Sequence, residues 1–180
     1  LYNQNTNQKN ETKKEVDTNK DFYEQIEKVK NSINSITEQR LYSAEAYTGR
    51  SCNFEDLSWT SSKNFYSITG IEIEEYKDEK IRVPSQFITS LYIDAAINEI
   101  GKAISLDPSN AYLYYHRSEL LITKARSEMM LKKYNGYSSK ADDYYRRCLS
   151  DAAIAINLYP KGSPLCVNHK DMVNWMSNPL

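Results

Sequence analysis

The chain has 180 residues, a formal net charge of −1, and only five glycines and five prolines. That length suffices for one domain with a sizeable core, and the near-zero charge excludes a global field drawing the protein to nucleic acid or to a membrane surface. No apolar run approaches the roughly 18–20 residues that a membrane-spanning helix needs. The halves differ mildly: residues 1–80 carry 11 basic and 15 acidic side chains, and residues 81–180 carry 12 and 9. Few breakers and long periodic runs predict an all-α protein. Three widely spaced cysteines, Cys52, Cys148 and Cys166, are an odd number and do not form a disulfide framework.

Residues 1–18 are nearly all Asn, Gln, Lys, Thr and Glu, a composition that cannot bury a core and reads as a flexible polar tail. The chain opens on Leu1 and shows no signal peptide. A tether behind a removed leader would suit an exported or cell-envelope protein, and a trimmed chain end fits equally. Residues 19–180 are then expected to form a single helical domain.

Phe22, Ile26, Val29, Ile33 and Ile36 step by 4, 3, 4 and 3 along the chain, an apolar stripe on one helix face. The spacing predicts a long N-terminal helix over residues 19–47. Its stripe fits packing on its own domain or a short coiled-coil seam, although a sustained coil needs about three to four heptads.

Residues 49–80 are the least regular. Residues 53–60 read as a loop with Trp59 as an anchor into the core. Residues 65–69 and 71–75, split by Gly70, favour a small β-hairpin through Phe65, Ile68, Ile71 and Ile73. A short charged helix over 71–83 is the other choice. Glu72, Glu74, Glu75, Asp78 and Glu79 read as a solvated face, because no calcium-loop spacing with its glycine accompanies them.

Pro84 is expected to stop the preceding segment and Ser85 to cap a helix ending near Leu106, before Asp107–Pro108. Ser109 or Asn110 caps the next helix, over 111–133, where Tyr114, Ser118, Leu121, Ala125 and Met129 recur at helical spacing. Asn135–Gly136 signals a turn. A partner helix follows over 139–158, with Tyr145, Cys148, Ala152 and Ile156 inward. Ser163–Pro164 opens a capping helix over 164–176.

Within these segments one ladder recurs. Ala96, Ile100, Ala103 and Pro108 keep the same offsets as Cys148, Ala152, Ala155 and Pro160. This ladder resembles the second helix of a tetratricopeptide repeat and its closing proline. The phrase KAISLDPSNAYLYYHRSELL (102–121) is similar to the join between two such repeats. Tyr114, Arg117, Ser118 and Leu121 stand where the family's first helix has Trp-x2-Leu-Gly-x2-Tyr, with Arg117 in place of Leu as the departure. The resemblance spans about residues 85–163. It implies antiparallel helix hairpins that stack into part of an α-α superhelix, and a non-catalytic module that binds a protein or peptide. A structural subunit fixed in a larger assembly is the alternative. Pro84 and the acidic stretch stand where the first unit's opening helix should be, so that unit is expected to be partial.

Pro108 and Pro160 lie 52 residues apart, whereas the family period is about 34. The surplus falls near Asn135–Gly136 and predicts a lengthened hairpin tip. Met130, Lys133, Tyr134, Tyr137 and Tyr144, with Tyr114 and Arg117, are the candidate partner-binding residues, since Tyr, Met and Arg are enriched in interface cores. A solvated hairpin end is the other reading of the tip. Stacked tyrosines with Lys and Arg also suit RNA, but the near-neutral charge argues against nucleic acid.

Cys166-x2-His169 has ligand-like spacing, yet a zinc site needs three or four protein ligands, and only the distant Cys52 and Cys148 could complete it. No metal or cofactor is therefore expected. No Ser–His–Asp order, phosphate loop or dinucleotide glycine pattern occurs, so nothing in the sequence supports catalysis.

Overall fold

The structure, a computed structural model, describes residues 23–69, 79–135 and 140–160, with side chains described for 23–60, 87–129 and 140–160. Every element among the described residues is a helix. Two compact units divide between Gln39 and Arg40. The first contains α1, residues 23–37. The second contains α2 (Ala44–Thr69), α3 (Glu79–Leu106), α4 (Ala111–Asn135) and α5 (Lys140–Leu158). No described helix is long and apolar enough to cross a membrane.

In α1 the expected stripe holds: Ile26 is buried and Val29, Ile33 and Ile36 are half-buried, while most other positions are exposed. The helix is shorter than expected. Thr37 Oγ1 donates back to Ile33 O at 2.9 Å and the ladder closes at Gln39. A new helix begins at Ala44, because Ser43 Oγ accepts the Ala46 N–H at 3.1 Å as an N-cap. Tyr47 Oη accepts the Leu41 N–H at 3.2 Å and ties the connection to the new helix.

α2 replaces the loop expected over 53–60 and the strand expected over 65–69. Its inner face is Ala44, Tyr47, Ser51, Phe54 and Ser58, all buried and spaced by 3 and 4. Three of those five residues are small or polar, which hides the period from a hydrophobicity reading. Phe54, 1% exposed, is the core anchor; Trp59 is 56% exposed and does not fill that role. Residues 71–75, the expected second strand, lie outside the described residues, as does the helix expected over 164–176.

α3 runs through Pro84 and Ser85 rather than starting there. Proline's fixed φ fits a helix, and its missing N–H removes a single bond to the preceding turn. The helix expected to be missing before α3 is α2, which packs antiparallel on it: Arg50 meets Glu99, Ser51 meets Ala96 and Thr89 meets Ser58. α4 packs antiparallel on α3, and α5 antiparallel on α4. α3 is therefore covered on two sides. Ile88, Ile93, Ala96, Ile97, Ile100, Ala103 and Ile104 are all buried.

The connection from α3 to α4 follows expectation. Asp107 accepts from Ser109 Oγ at 3.0 Å and Asn110 Nδ2 at 3.2 Å, while Asn110 Oδ1 caps the Tyr112 N–H at 3.2 Å. All six inner residues of the ladder, Ala96, Ile100, Ala103, Cys148, Ala152 and Ala155, are 0% exposed. Small residues at these points let helix axes approach closely.

Each interface also carries an ion pair with at least one buried partner. Between α2 and α3, Arg50 Nε donates to Glu99 Oε2 at 2.7 Å, and Lys102 Nζ reaches Glu99 Oε1 at 2.7 Å. Both cations lie over the Tyr47 ring, at 5.3 and 5.6 Å. Glu99 is 0% exposed.

Two predictions follow from the packing. Ala103→Leu and Ala155→Leu overfill their interfaces and each lowers stability by about 1–3 kcal/mol; urea unfolding would show it, and unchanged midpoints in both variants would refute close packing there. Glu99→Leu strands the Arg50 charge and costs about 3–5 kcal/mol, whereas the double variant Arg50→Met/Glu99→Leu recovers most of that loss. The same unfolding series checks both variants.

Candidate functional site

The residues singled out from the sequence fall into two groups on the α4–α5 pair. Arg117 donates through Nε and Nη2 to the two oxygens of Asp151 on α5, at 2.6 and 2.7 Å. Its guanidinium lies 5.7 Å from the centre of the Tyr114 ring. Arg117 is thus held in a two-pronged clamp between helices, and the place of the expected Leu is taken by an ion pair. One turn and more along α4, Lys124 Nζ is held by Ser90 Oγ, by Asp94 Oδ2 at 2.6 Å and by Glu128 Oε1 at 3.2 Å. The Tyr144 ring lies 5.7 Å from Lys124 Nζ and 5.7 Å from Arg147 Cζ. Burial and the nearby Asp94 push the Tyr144 hydroxyl up from its ordinary range. Arg117 and Tyr144 therefore tie α4 to α5, and Tyr114 lies against Arg117 on α4. The side chains of Met130, Lys133 and Tyr134, and all of Tyr137, lie outside the described residues, so the expected tip does too.

A third cluster, not singled out from the sequence, joins α2 to α4 around His116. Antiparallel packing of both on α3 makes α2 and α4 run in the same direction, and His116 lies beside Ser51 and Cys52. Ser51 Oγ donates to Ala96 O at 2.9 Å, which leaves it an acceptor for His116 Nε2 at 3.4 Å. A proton on Nε2 would satisfy that contact. Cys52 Sγ lies 3.8 Å from the same nitrogen and Glu55 Oε2 lies 3.9 Å from it. The Tyr112 ring stacks on the imidazole, with centroids 6.0 Å apart and an interplanar angle of 6°. Tyr115 Oη donates to Glu119 Oε1 at 2.5 Å.

The electrostatics keep this cluster neutral at its centre. Burial lowers the His116 pKa, and Glu119 only partly opposes it. Burial, with Glu55 and Asp56, raises that of the Cys52 thiol. A thiol–imidazole nucleophile needs a lowered thiol pKa and a nitrogen free to accept its proton. Here both shifts favour the uncharged pair. Cys148 is inert for a simpler reason: burial pushes its thiol up to about 11. Among the described residues no group of three His, Cys, Asp or Glu side chains is placed to hold a metal ion. Cys166 and His169 lie outside the described residues.

The sequence contained a trace of this cluster, since Cys52 and His116 are among the few residues with nucleophile or ligand chemistry. Their 64-residue separation hid it; only the pairing of α2 with α3 brings them together.

The cluster has a pH signature. The folded state resists protonating His116, whereas the unfolded chain binds that proton below about 6.5. Stability is then lost as pH falls through about 6.5 toward the lowered folded value. Thermal midpoints measured at near-neutral and mildly acidic pH should drop more for the native chain than for His116→Gln, which keeps a donor near Ser51 but does not titrate. Equal drops in the two would refute the neutral buried imidazole.

No family model, curated protein or solved structure matches this chain.

Proposed function

We propose that the chain is a non-catalytic protein-interaction module built from helix hairpins that resemble tetratricopeptide units. The observation that supports this most is the complete burial of the repeated ladder. Six residues at matching offsets, on α3 and on α5, are 0% exposed, and each of those helices is the second member of an antiparallel pair. Stacked repeats require small residues at such points, because each unit buries its face on the next. In this reading α2 with α3 is one unit and α4 with α5 the next. The same-direction pair α2 and α4 then offers a surface on which a peptide or subunit would lie.

A second reading is a structural subunit of a larger assembly, such as one in a bacterial cell envelope. The apolar stripe of α1 and the polar tail favour it as a docking device. Catalysis ranks behind both, since the Cys52–His116 pair is held neutral.

Affinity capture from the source cell, with the full chain and with residues 1–20 removed, separates the two. A partner retained on truncation supports the module. A stoichiometric partner lost on truncation supports the docked subunit. Absence of any specific partner in both captures overturns both readings.

A further inference from the structure

We propose that Glu55, Glu119 and the rings of Tyr112 and Tyr115 form a receptor for a cationic side chain, the guanidinium or ammonium group of a basic segment on a partner polypeptide. The proposal rests on the interaction-module reading and names the partner's chemistry.

Charge pairing elsewhere in the molecule makes the site stand out. Glu99 is held by Arg50 and Lys102, Asp151 by Arg117, and Asp94 and Glu128 by Lys124. Asp107 takes up the hydrogen bonds of its own turn. Glu55 and Glu119 are also half-buried, yet among the described residues neither has a lysine or arginine partner. The one base beside them, His116, is kept uncharged and 3.9 Å from Glu55.

The placement follows from the helices. Glu55 is three residues beyond Cys52, and Glu119 is three residues beyond His116. Cys52 and His116 touch, and α2 and α4 run the same way, so the two carboxylates stand at the same level on neighbouring helices. Their proximity is felt electrostatically: burial first, then Glu119 and Asp56, push the Glu55 carboxyl up from its ordinary range. A cation seated between them would relieve that repulsion.

Aromatic rings complete the receptor. Tyr112 is 48% exposed, with its ring centre 6.5 Å from that of Tyr115. Tyr115 donates its hydroxyl proton to Glu119 and so fixes that carboxylate. A ring face within about 6 Å attracts an ammonium or guanidinium, and a carboxylate adds a charge-assisted hydrogen bond. The same face of α2 continues through exposed Asp56 to Trp59, one turn on. A second acid and a large exposed aromatic suit a basic polypeptide segment better than a lone small cation.

The test uses the full chain and nuclear magnetic resonance titration. Three probes are added separately: a short peptide containing two arginines, its analogue with both arginines replaced by glutamine, and tetramethylammonium chloride. The arginine peptide should shift resonances of residues 52–59 and 112–119 saturably, and the glutamine analogue should not. Glu55→Gln and Glu119→Gln should each weaken the arginine peptide by about tenfold or more, the worth of one charge-assisted hydrogen bond. Far-ultraviolet circular dichroism confirms that both variants fold. Unchanged affinity in both variants overturns the receptor. Shifts from tetramethylammonium as strong as those from the arginine peptide overturn a polypeptide partner in favour of a small-cation site. A partner captured from cells that binds the two glutamine variants as well as the native chain overturns this site and leaves the module reading standing.

Discussion

The four-helix unit depends on how closely α3 lies between α2 and α4. A helix covered on two sides must present small residues wherever a neighbour's backbone crosses it, and α3 does so at Ala96 and Ala103. Ala96 meets α2 so closely that its carbonyl accepts the hydroxyl of Ser51 at 2.9 Å. α5 solves the same problem against α4 with Cys148, Ala152 and Ala155. The larger residues between these points, Ile93, Ile100, Leu120 and Leu121, then fill the space that the close approaches leave. Interiors pack at crystal-like density, so the position of each small residue constrains its large neighbours.

Apolar packing alone leaves helices free to slide by a turn. Here each successive interface carries an ion pair with at least one buried partner: Arg50–Glu99 between α2 and α3, Lys124–Asp94 between α3 and α4, and Arg117–Asp151 between α4 and α5. Removing two charges from water offsets most of their mutual attraction, so such pairs add little net stability. A shift of one turn, however, would leave a charge buried and unpaired, which is far more costly. The ladder brings the helices close, and the ion pairs set where along their length they meet.

These pairings also shape what remains for function. The half-buried carboxylates that serve structure are neutralised within the fold. Glu55 and Glu119 are not, and they stand beside partly exposed tyrosines on the two helices that run the same way. α4 thereby carries two different faces. One face holds Ser118, Leu121 and Ala125 in the core, and the other presents Tyr112 and Glu119 next to α2. Of the aromatic and basic residues that stood out in the sequence, Arg117 and Tyr144 link α4 to α5, since a cation over a ring is as useful inside a fold as at an interface.

The sequence by itself determined the helical class, the turn at Asp107–Asn110, the extents of α4 and α5 within a few residues, and the ladder of small residues. All of these are local signals: a capping side chain, a proline, a repeated spacing. It did not reveal α2, because the inner face of that helix is Ser51, Ser58 and Arg50 as much as Phe54, and Ser51 and Arg50 find their partners on α3. It misplaced the start of α3 because Pro84, which loses a backbone bond and crowds the preceding turn, sits in the second turn of a long helix packed on two sides. Only the tertiary structure decided that Trp59 faces outward, that Arg117 is clamped to Asp151, and that Cys52 meets His116. Each of those outcomes depends on residues more than thirty positions apart, and burial assigns such partners only when the whole unit closes.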